Sequence, residues 1–231
     1  MQTAYTEHLL RTFDMWDEVH TVATPMLPGT RLIRADCPDT PSPTVQLRYR
    51  SIVGSIGNLV QMTRCDMAFA YGQLGLSLPV HMAAAERALA YVRGTHDQGL
   101  SNCDPGADNR NVLTGWVDSD FAADSDTRRR GSVTGYIMFS NSAPISWRRG
   151  GATLSSSEAE YVAASAVAQE HSYLRALLSG FDCTPLGPTC VWEDNAACIL
   201  MSENPVNHYR SRHVKDKFHF LCERVRAGEI K

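Results

Sequence analysis

Several familiar signals are missing from this chain of 231 residues, and each absence excludes a class of protein. No apolar run reaches the roughly 18 residues of a membrane-spanning helix, which predicts no membrane contact. The seven cysteines are odd in number and form no C-x-x-C pair, which argues against a zinc site or a disulfide framework. The net charge of -3 leaves any nucleic-acid contact to local basic patches. With 43% hydrophobic residues, the chain still has enough apolar material for one or two domains.

The first part of the chain has a helical pattern interrupted by one proline-rich stretch. Apolar residues recur at helical spacing over 3–13 and 48–75, and a further helix is predicted over 79–94, between a proline and a glycine. The prolines within 20–47 predict an extended connector. Residues 101–111 form a polar loop, which predicts a domain boundary.

After this loop the pattern changes to short β-rich runs followed by helices. The order βββ-α-β-α-α predicts an α/β domain with a mixed sheet and helices packed against it. Asn141-Ser142 is the expected turn of a hairpin. The predicted strands are 112–118, 133–140, 143–148 and 189–194, and the predicted helices are 156–179, 196–203 and 210–227.

Three acidic positions occupy comparable places in this scheme. Asp118 closes the first strand, Glu160 lies in the first turns of the long helix, and Asp194 follows the fourth strand. Strand ends and helix starts meet at one edge of an α/β sheet, so these carboxylates are expected to converge. Gathered carboxylates repel one another unless a hard cation such as Mg²⁺ neutralises them.

Each acidic position has a neighbour that competes for the role. Glu160 shares the apolar face of its helix, whereas Glu158 is expected to face solvent or to assist the helix start. Asp120 would point the same way as Asp118 if the strand continued. Glu193 is expected to point away from Asp194.

Six stretches of the sequence together resemble a known protein family. It resembles the C-terminal part of the Pol polyprotein of copia-type LTR retrotransposons, in order and in approximate spacing. The matching stretches are YRSIVGSIGNLVQMTRCDMAFA (49–70), GWVDSDFAAD (115–124), SVTGYIMFSNSAPISWRR (132–149), LSSSEAEYVAAS (154–165), EDNAACILMSENPVNHYRSRHVKDKFHF (193–220) and ERVRAGEI (223–230).

The resemblance implies two parts. Residues 1–105 resemble the end of a reverse transcriptase, its thumb and connection, without the polymerase aspartates. Residues 106–231 resemble a ribonuclease H-like domain. The implied activity is two-metal hydrolysis of RNA in RNA–DNA hybrids, with two Mg²⁺ ions, or Mn²⁺ in their place, and no small-molecule cofactor.

The resemblance also assigns roles to residues. Asp118, Glu160 and Asp194 match the catalytic, metal-binding acids of the family. The implied partners are the RNA–DNA hybrid and the remainder of the reverse transcriptase. With no targeting signal, the expected location is intracellular, in the cytoplasm or in virus-like particles.

Two departures from the family pattern keep an alternative open. The chain stops after GEI, so the last strand and last helix, with a fourth catalytic aspartate, are expected to be missing. The family often has an acid two residues after His213, whereas here the acid is Asp216, displaced by one position. The alternatives are an inactive, truncated remnant that at most binds nucleic acid, and an unrelated Mg²⁺ phosphohydrolase.

Clusters of basic residues are candidates for sequence-independent contacts with phosphates. Solvated surface runs are the alternative interpretation of each cluster. Trp147 and Trp192 are expected to be core residues. The candidate nucleic-acid-binding residues are Arg129, Arg130, Arg148, Arg212 and Lys215.

Overall fold

A computed structural model describes most of the chain, in two compact units, Met1–Leu100 and Ser101–Lys231. The assignment of 1–105 to a reverse transcriptase and of 106–231 to a ribonuclease H-like domain stays a prediction. Within the described part of the chain, no helix is long and apolar enough to cross a membrane. The described residues are 2–17, 20–30, 32, 42–76, 81–101, 111–120, 133–150, 156–203 and 212–231.

The first unit is helical, but two of its predicted boundaries are wrong. The single helix predicted over 48–75 is two helices, because the chain turns at Thr63 and continues through a short 3-10 helix, Cys65–Met67. The helix that precedes this turn begins at Pro43, inside the predicted connector, because proline suits the first position of a helix. The helices are α1 (Thr3–Thr12), α2 (Pro43–Met62), α3 (Ala68–Leu76) and α4 (Met82–Gly94).

Apolar faces of these helices meet in one core. Leu10, Ile56 and Leu89 come from α1, α2 and α4 and are completely buried there. Gly57 allows a close approach, since a Cβ atom at this position would lie 2.7 Å from the ring of Tyr71. Burial of this continuous cluster is the main stabilising contribution in the unit.

The second unit is α/β with a mixed sheet, which confirms the predicted fold class and is compatible with a ribonuclease H-like fold. The strand order is β3-β2-β1-β4; the first three strands are antiparallel and β4 runs parallel to β1. The strands are β1 (Leu113–Asp120), β2 (Val133–Ser140), β3 (Ala143–Gly150) and β4 (Cys190–Trp192). The helices are α5 (Ser156–Gly180), α6 (Ala196–Glu203) and α7 (Arg212–Arg226).

The turn between β2 and β3 is the one that the sequence predicts. Asn141 and Ser142 both have positive φ angles, 48° and 68°, which suit the tight turns that match strand twist. The Asn141 side-chain oxygen accepts the backbone N–H of Val112, and the Asn141 backbone N–H donates to the Val112 carbonyl, each at 2.9 Å. The hairpin is therefore tied to the start of β1.

Helix α5 covers one face of the sheet. Val117 on β1 packs with Met138 on β2 and Val167 on α5. Gly115 makes this approach possible, because a Cβ atom there would lie 2.6 Å from the Met138 sulfur. Side chains alternate along β1, so Trp116 and Asp118 lie on the face opposite Val117.

On that opposite face aromatic side chains are exposed, and the prediction of a buried Trp192 is wrong. Trp192 is 56% exposed and stacks on Trp116, with ring centroids 6.4 Å apart. Phe139 meets Trp116 edge to face at 5.0 Å. Parallel pairing of β1 and β4 puts the two tryptophans side by side, on the face that α5 does not cover.

The last residues of the chain pair with β4. The Thr189 N–H donates to the Glu229 carbonyl, and the Lys231 N–H donates to the Thr189 carbonyl, at 2.8 and 3.0 Å. Thr189 and Ile230 thus form a parallel bridge. Four strands make up the described sheet, and this bridge extends its hydrogen bonding beyond β4.

A buried histidine makes the stability of this unit sensitive to acid. His171 on α5 has no exposed surface, and burial lowers its pKa to about 4. The positive charges of Arg175 and Arg224 act in the same direction, while Glu229 opposes them. In the unfolded chain its pKa is about 6.5, so unfolding takes up a proton as the pH falls through this range.

We expect the free energy of unfolding to fall by about 2 kcal/mol between about pH 7 and about pH 5 because of His171. The contribution of His171 to stability is complete above its pKa in the unfolded chain. It is lost as the pH falls toward its pKa in the folded protein. Urea unfolding of the wild type and of His171→Phe at both pH values measures the effect. His171→Phe should lose less unfolding free energy than the wild type between the two pH values, by about 2 kcal/mol. Equal losses in the two proteins would show that His171 does not cause the acid sensitivity.

Candidate metal centre

The three predicted acids lie on or next to three different elements, β1, α5 and β4, at one end of the sheet. Asp118 lies near the end of β1, Glu160 lies in the second turn of α5, and Asp194 follows β4. Since β1 and β4 are parallel neighbours, their carboxyl ends lie side by side. The end of the sheet and the adjoining part of α5 therefore hold all three side chains.

The carboxylates of these residues form one group, here called the acidic cluster: Asp118, Glu160 and Asp194. One oxygen from each lies within 4.8 Å of the other two. Asp118 and Asp194 are exposed, whereas Glu160 is only 9% exposed. The cluster is thus anchored on the protein side by Glu160 and is open to solvent through the two aspartates.

Glu160 is held in an unfavourable electrostatic setting. Burial raises its pKa, and the charges of Asp118 and Asp194 raise it further, while contact with Ser119 opposes part of this rise. Its Oε2 atom is buried and has no hydrogen-bond partner among the described residues. An unpartnered, buried carboxylate oxygen beside two further carboxylates is costly unless a cation or a proton compensates it.

Local sequence explains how the helices around the cluster are placed. In α5, Tyr161 and Ala164 are buried against α6 and α7, and this packing orients the turn that carries Glu160. Asn195 is the N-cap of α6, since its side-chain oxygen accepts the N–H groups of Ala197 and Cys198 at 3.0 and 3.1 Å. Asp194 precedes this cap and is thereby fixed at the start of α6.

The composition of the acidic cluster fits a hard divalent cation. Carboxylate oxygens are the donors that Mg²⁺ and Mn²⁺ prefer, and three of them lie within 4.8 Å of one another. The buried Oε2 atom of Glu160 lacks the partner that a cation would supply. These side chains can therefore hold a metal ion.

The acid beside Asp194, which the sequence analysis set aside, is subject to the charges of the cluster. Glu193 is half-buried, whereas Asp194 is exposed. The charges of Glu160, Asp194 and Asp118 nevertheless act on it, and burial with these charges raises the pKa of Glu193 to about 7. Its position next to Asp194 was the only signal in the sequence.

Most of the predicted nucleic-acid-binding residues lie outside what the structure describes. Arg148 is exposed on β3. Arg129 and Arg130 fall outside the described residues, as do the side chains of Arg212 and Lys215 within α7. The side chains of Glu158, Asp120 and Asp216, the competing acids of the sequence analysis, also lie outside them.

Comparisons with known proteins relate the chain to transposon sequences. It is 32% identical over its whole length to the retrovirus-related Pol polyprotein from transposon RE2 of Arabidopsis thaliana. It is 31% identical, again over its whole length, to that from transposon TNT 1-94 of Nicotiana tabacum. The chain spans only 16% and 18% of these two relatives.

A shorter relative matches part of the chain. Secreted RxLR effector protein 161 of Plasmopara viticola is 37% identical over 133 residues, which is 54% of this chain and 90% of that protein. No protein-family profile matches the chain.

Proposed function

Because this chain is homologous over its whole length to a segment of transposon Pol polyproteins, we propose that it is a ribonuclease H-type endonuclease of such a Pol protein. Its substrate in this proposal is the RNA strand of an RNA–DNA hybrid. The second unit is the hydrolase, and the first unit is the end of the reverse transcriptase. The remainder of that enzyme is the expected protein partner.

One observation carries the proposal: three acids far apart in sequence present oxygens within 4.8 Å of one another. The buried, unpartnered oxygen of Glu160 argues against a merely solvated acidic surface. Exposure of Asp118 and Asp194 leaves the cluster accessible to a large substrate. Such an arrangement supports metal-assisted hydrolysis of a phosphodiester.

The residues have different parts in this proposal. Asp118, Glu160 and Asp194 hold Mg²⁺, or Mn²⁺ in its place. When bound, the ions supply an activated water and neutralise charge at the scissile phosphate. Glu160 anchors the site from the protein interior, while Asp118 and Asp194 face the substrate side. Arg148 and the basic residues Arg129, Arg130, Arg212 and Lys215 are proposed to contact phosphates of the hybrid.

Cleavage of a labelled RNA–DNA hybrid by the full chain tests this function. We expect RNA cleavage that requires Mg²⁺, stops in a chelator and spares the DNA strand. Asp194→Asn should lower the rate at least about a hundredfold, because a neutral amide replaces a metal ligand. Cleavage that survives this substitution at the wild-type rate would refute the assignment of Asp194.

The same preparation discriminates the alternatives. A wild-type protein that binds Mg²⁺ but leaves every hybrid intact would match the inactive remnant. Hydrolysis of a phosphate monoester without cleavage of hybrids would instead match an unrelated phosphohydrolase. Either result would replace the proposed function.

A further inference from the structure

Two exposed tryptophans, here called the tryptophan pair, lie side by side on the face of the sheet that α5 does not cover. Trp116 on β1 and Trp192 on β4 are 45% and 56% exposed. Their rings stack at an angle of 24°, with centroids 6.4 Å apart, and Phe139 meets the Trp116 ring edge to face. A contiguous apolar patch of this kind is typical of a binding surface, whereas single exposed apolar side chains are ordinary.

The register of the sheet extends the tryptophan pair into a row. Trp116 pairs with Trp192 on one side and with Ile137 on the other. Ile137 in turn pairs with Trp147 on β3. Directly paired residues share one face of a sheet, so the row crosses all four strands. None of the four side chains is buried.

The tryptophan pair adjoins the acidic cluster. Trp116 precedes Asp118 by two residues on β1. Trp192 likewise precedes Asp194 by two residues, at the end of β4. Along β1 this spacing keeps the two side chains on one face, about 7 Å apart. A strand of nucleic acid with a phosphate at the cluster can therefore lay its next nucleotide over the tryptophans.

Charge on the same face favours nucleic acid over an apolar protein partner. Arg149 pairs with Gly135, which pairs with Asp118, so the arginine lies on this face two strands from the cluster. The surface between them is open, since a Cβ atom at Gly135 would meet nothing closer than 3.9 Å. Aromatic rings combined with a positive charge are the features that bind single-stranded nucleic acid.

We propose that the tryptophan pair is a stacking platform for an unpaired nucleobase beside the metal centre. Every base has a π-face, so such stacking does not depend on sequence. An unpaired base can be splayed out onto an indole ring, whereas a base within a duplex stays stacked on its neighbours. The inference rests on the proposed function, from which it takes the nucleic acid.

Binding of a labelled oligodeoxythymidine of about 12 nucleotides to the full chain tests the inference by fluorescence anisotropy. Mg²⁺ is present to neutralise the acidic cluster, and this DNA is not cleaved in the proposed function. We expect Trp192→Ala to raise the dissociation constant about tenfold, because one stacked base is lost. Trp192→Phe keeps an aromatic ring and should bind more tightly than Trp192→Ala.

Tyr173→Ala is the matched control. It removes an aromatic side chain that is 61% exposed on α5, away from the tryptophan pair, and it should bind as the wild type does. Raising the salt concentration should weaken binding by every variant, since contacts with phosphates release counterions. The ratio of the dissociation constants of Trp192→Ala and the wild type should stay constant, because stacking releases none.

Urea unfolding verifies that each variant is folded. A dissociation constant of Trp192→Ala within about twofold of the wild type would overturn the inference, as would a wild type that binds no oligonucleotide. A wild-type dimer that Trp192→Ala dissociates in sedimentation would also overturn it, because the face would then belong to a second copy. Cleavage of RNA–DNA hybrids by the same wild-type protein would leave the proposed function standing in each case.

Discussion

A Glu160→Gln protein is expected to lose at least about a hundredfold in hybrid cleavage while its metal-free form becomes more resistant to unfolding. The first effect follows because the neutral amide is a poor ligand for a hard cation. The second follows because the substitution removes a nearly buried charge from beside Asp118 and Asp194. We expect a gain of about 1 kcal/mol in the free energy of unfolding.

The opposite signs separate a functional from a structural role for Glu160. Initial cleavage rates at saturating Mg²⁺ measure the loss, and urea unfolding in a chelator measures the gain. Glu203→Gln should change neither quantity, because Glu203 is exposed. A variant that loses both activity and stability would indicate that Glu160 supports the fold rather than the metal.

The second large effect concerns the first unit, where Asp66→Ala is expected to cost about 2 kcal/mol of unfolding free energy, less than for a fully buried pair because the Asp66 side chain is 39% exposed. Arg64, with a side chain only 5% exposed, donates to both carboxylate oxygens of Asp66, at 3.0 and 2.8 Å. The Tyr91 hydroxyl donates to the same carboxylate at 2.9 Å. Removing Asp66 leaves the guanidinium buried without its carboxylate partner, and among the described residues its remaining acceptor is Thr95.

A solvent-exposed ion pair of the same unit provides the comparison. Arg11 and Glu7 lie one helical turn apart at 2.9 Å, with side chains 54% and 43% exposed. Glu7→Ala should therefore cost no more than about 0.5 kcal/mol. Urea unfolding of both variants measures the contrast, and similar costs would show that burial of Arg64 does not govern the stability of its pair.

Several features of the second unit could be predicted from local pattern. Strand alternation and turn residues placed β1, β2 and β3 within two residues of their observed ends, and the hairpin turn lies at Asn141-Ser142. The apolar face of α5 selected Glu160 as the acid that points inward, and it is indeed nearly buried. These properties depend on neighbours in sequence, which is why pattern suffices for them.

Features that depend on distant contacts could not be predicted. The helix expected over 48–75 is interrupted after Met62, where Arg64 reaches Thr95 on another part of the unit. Trp192 was expected in the core, but parallel pairing with β1 places it on the face that α5 leaves uncovered. Neither contact has a signature within the residues around it.

The sequence by itself determined the α/β class, the order of the elements and the candidate acids, because hydrophobic period and turn chemistry are local properties of the chain. Only the tertiary structure decided that Asp118, Glu160 and Asp194 present oxygens within 4.8 Å of one another. It alone showed that burial and the charges of these three acids raise the pKa of Glu193. The physical reason is that parallel strand pairing and helix packing determine how close these side chains lie in space. The distance between two residues along the chain does not reveal their distance in the folded protein.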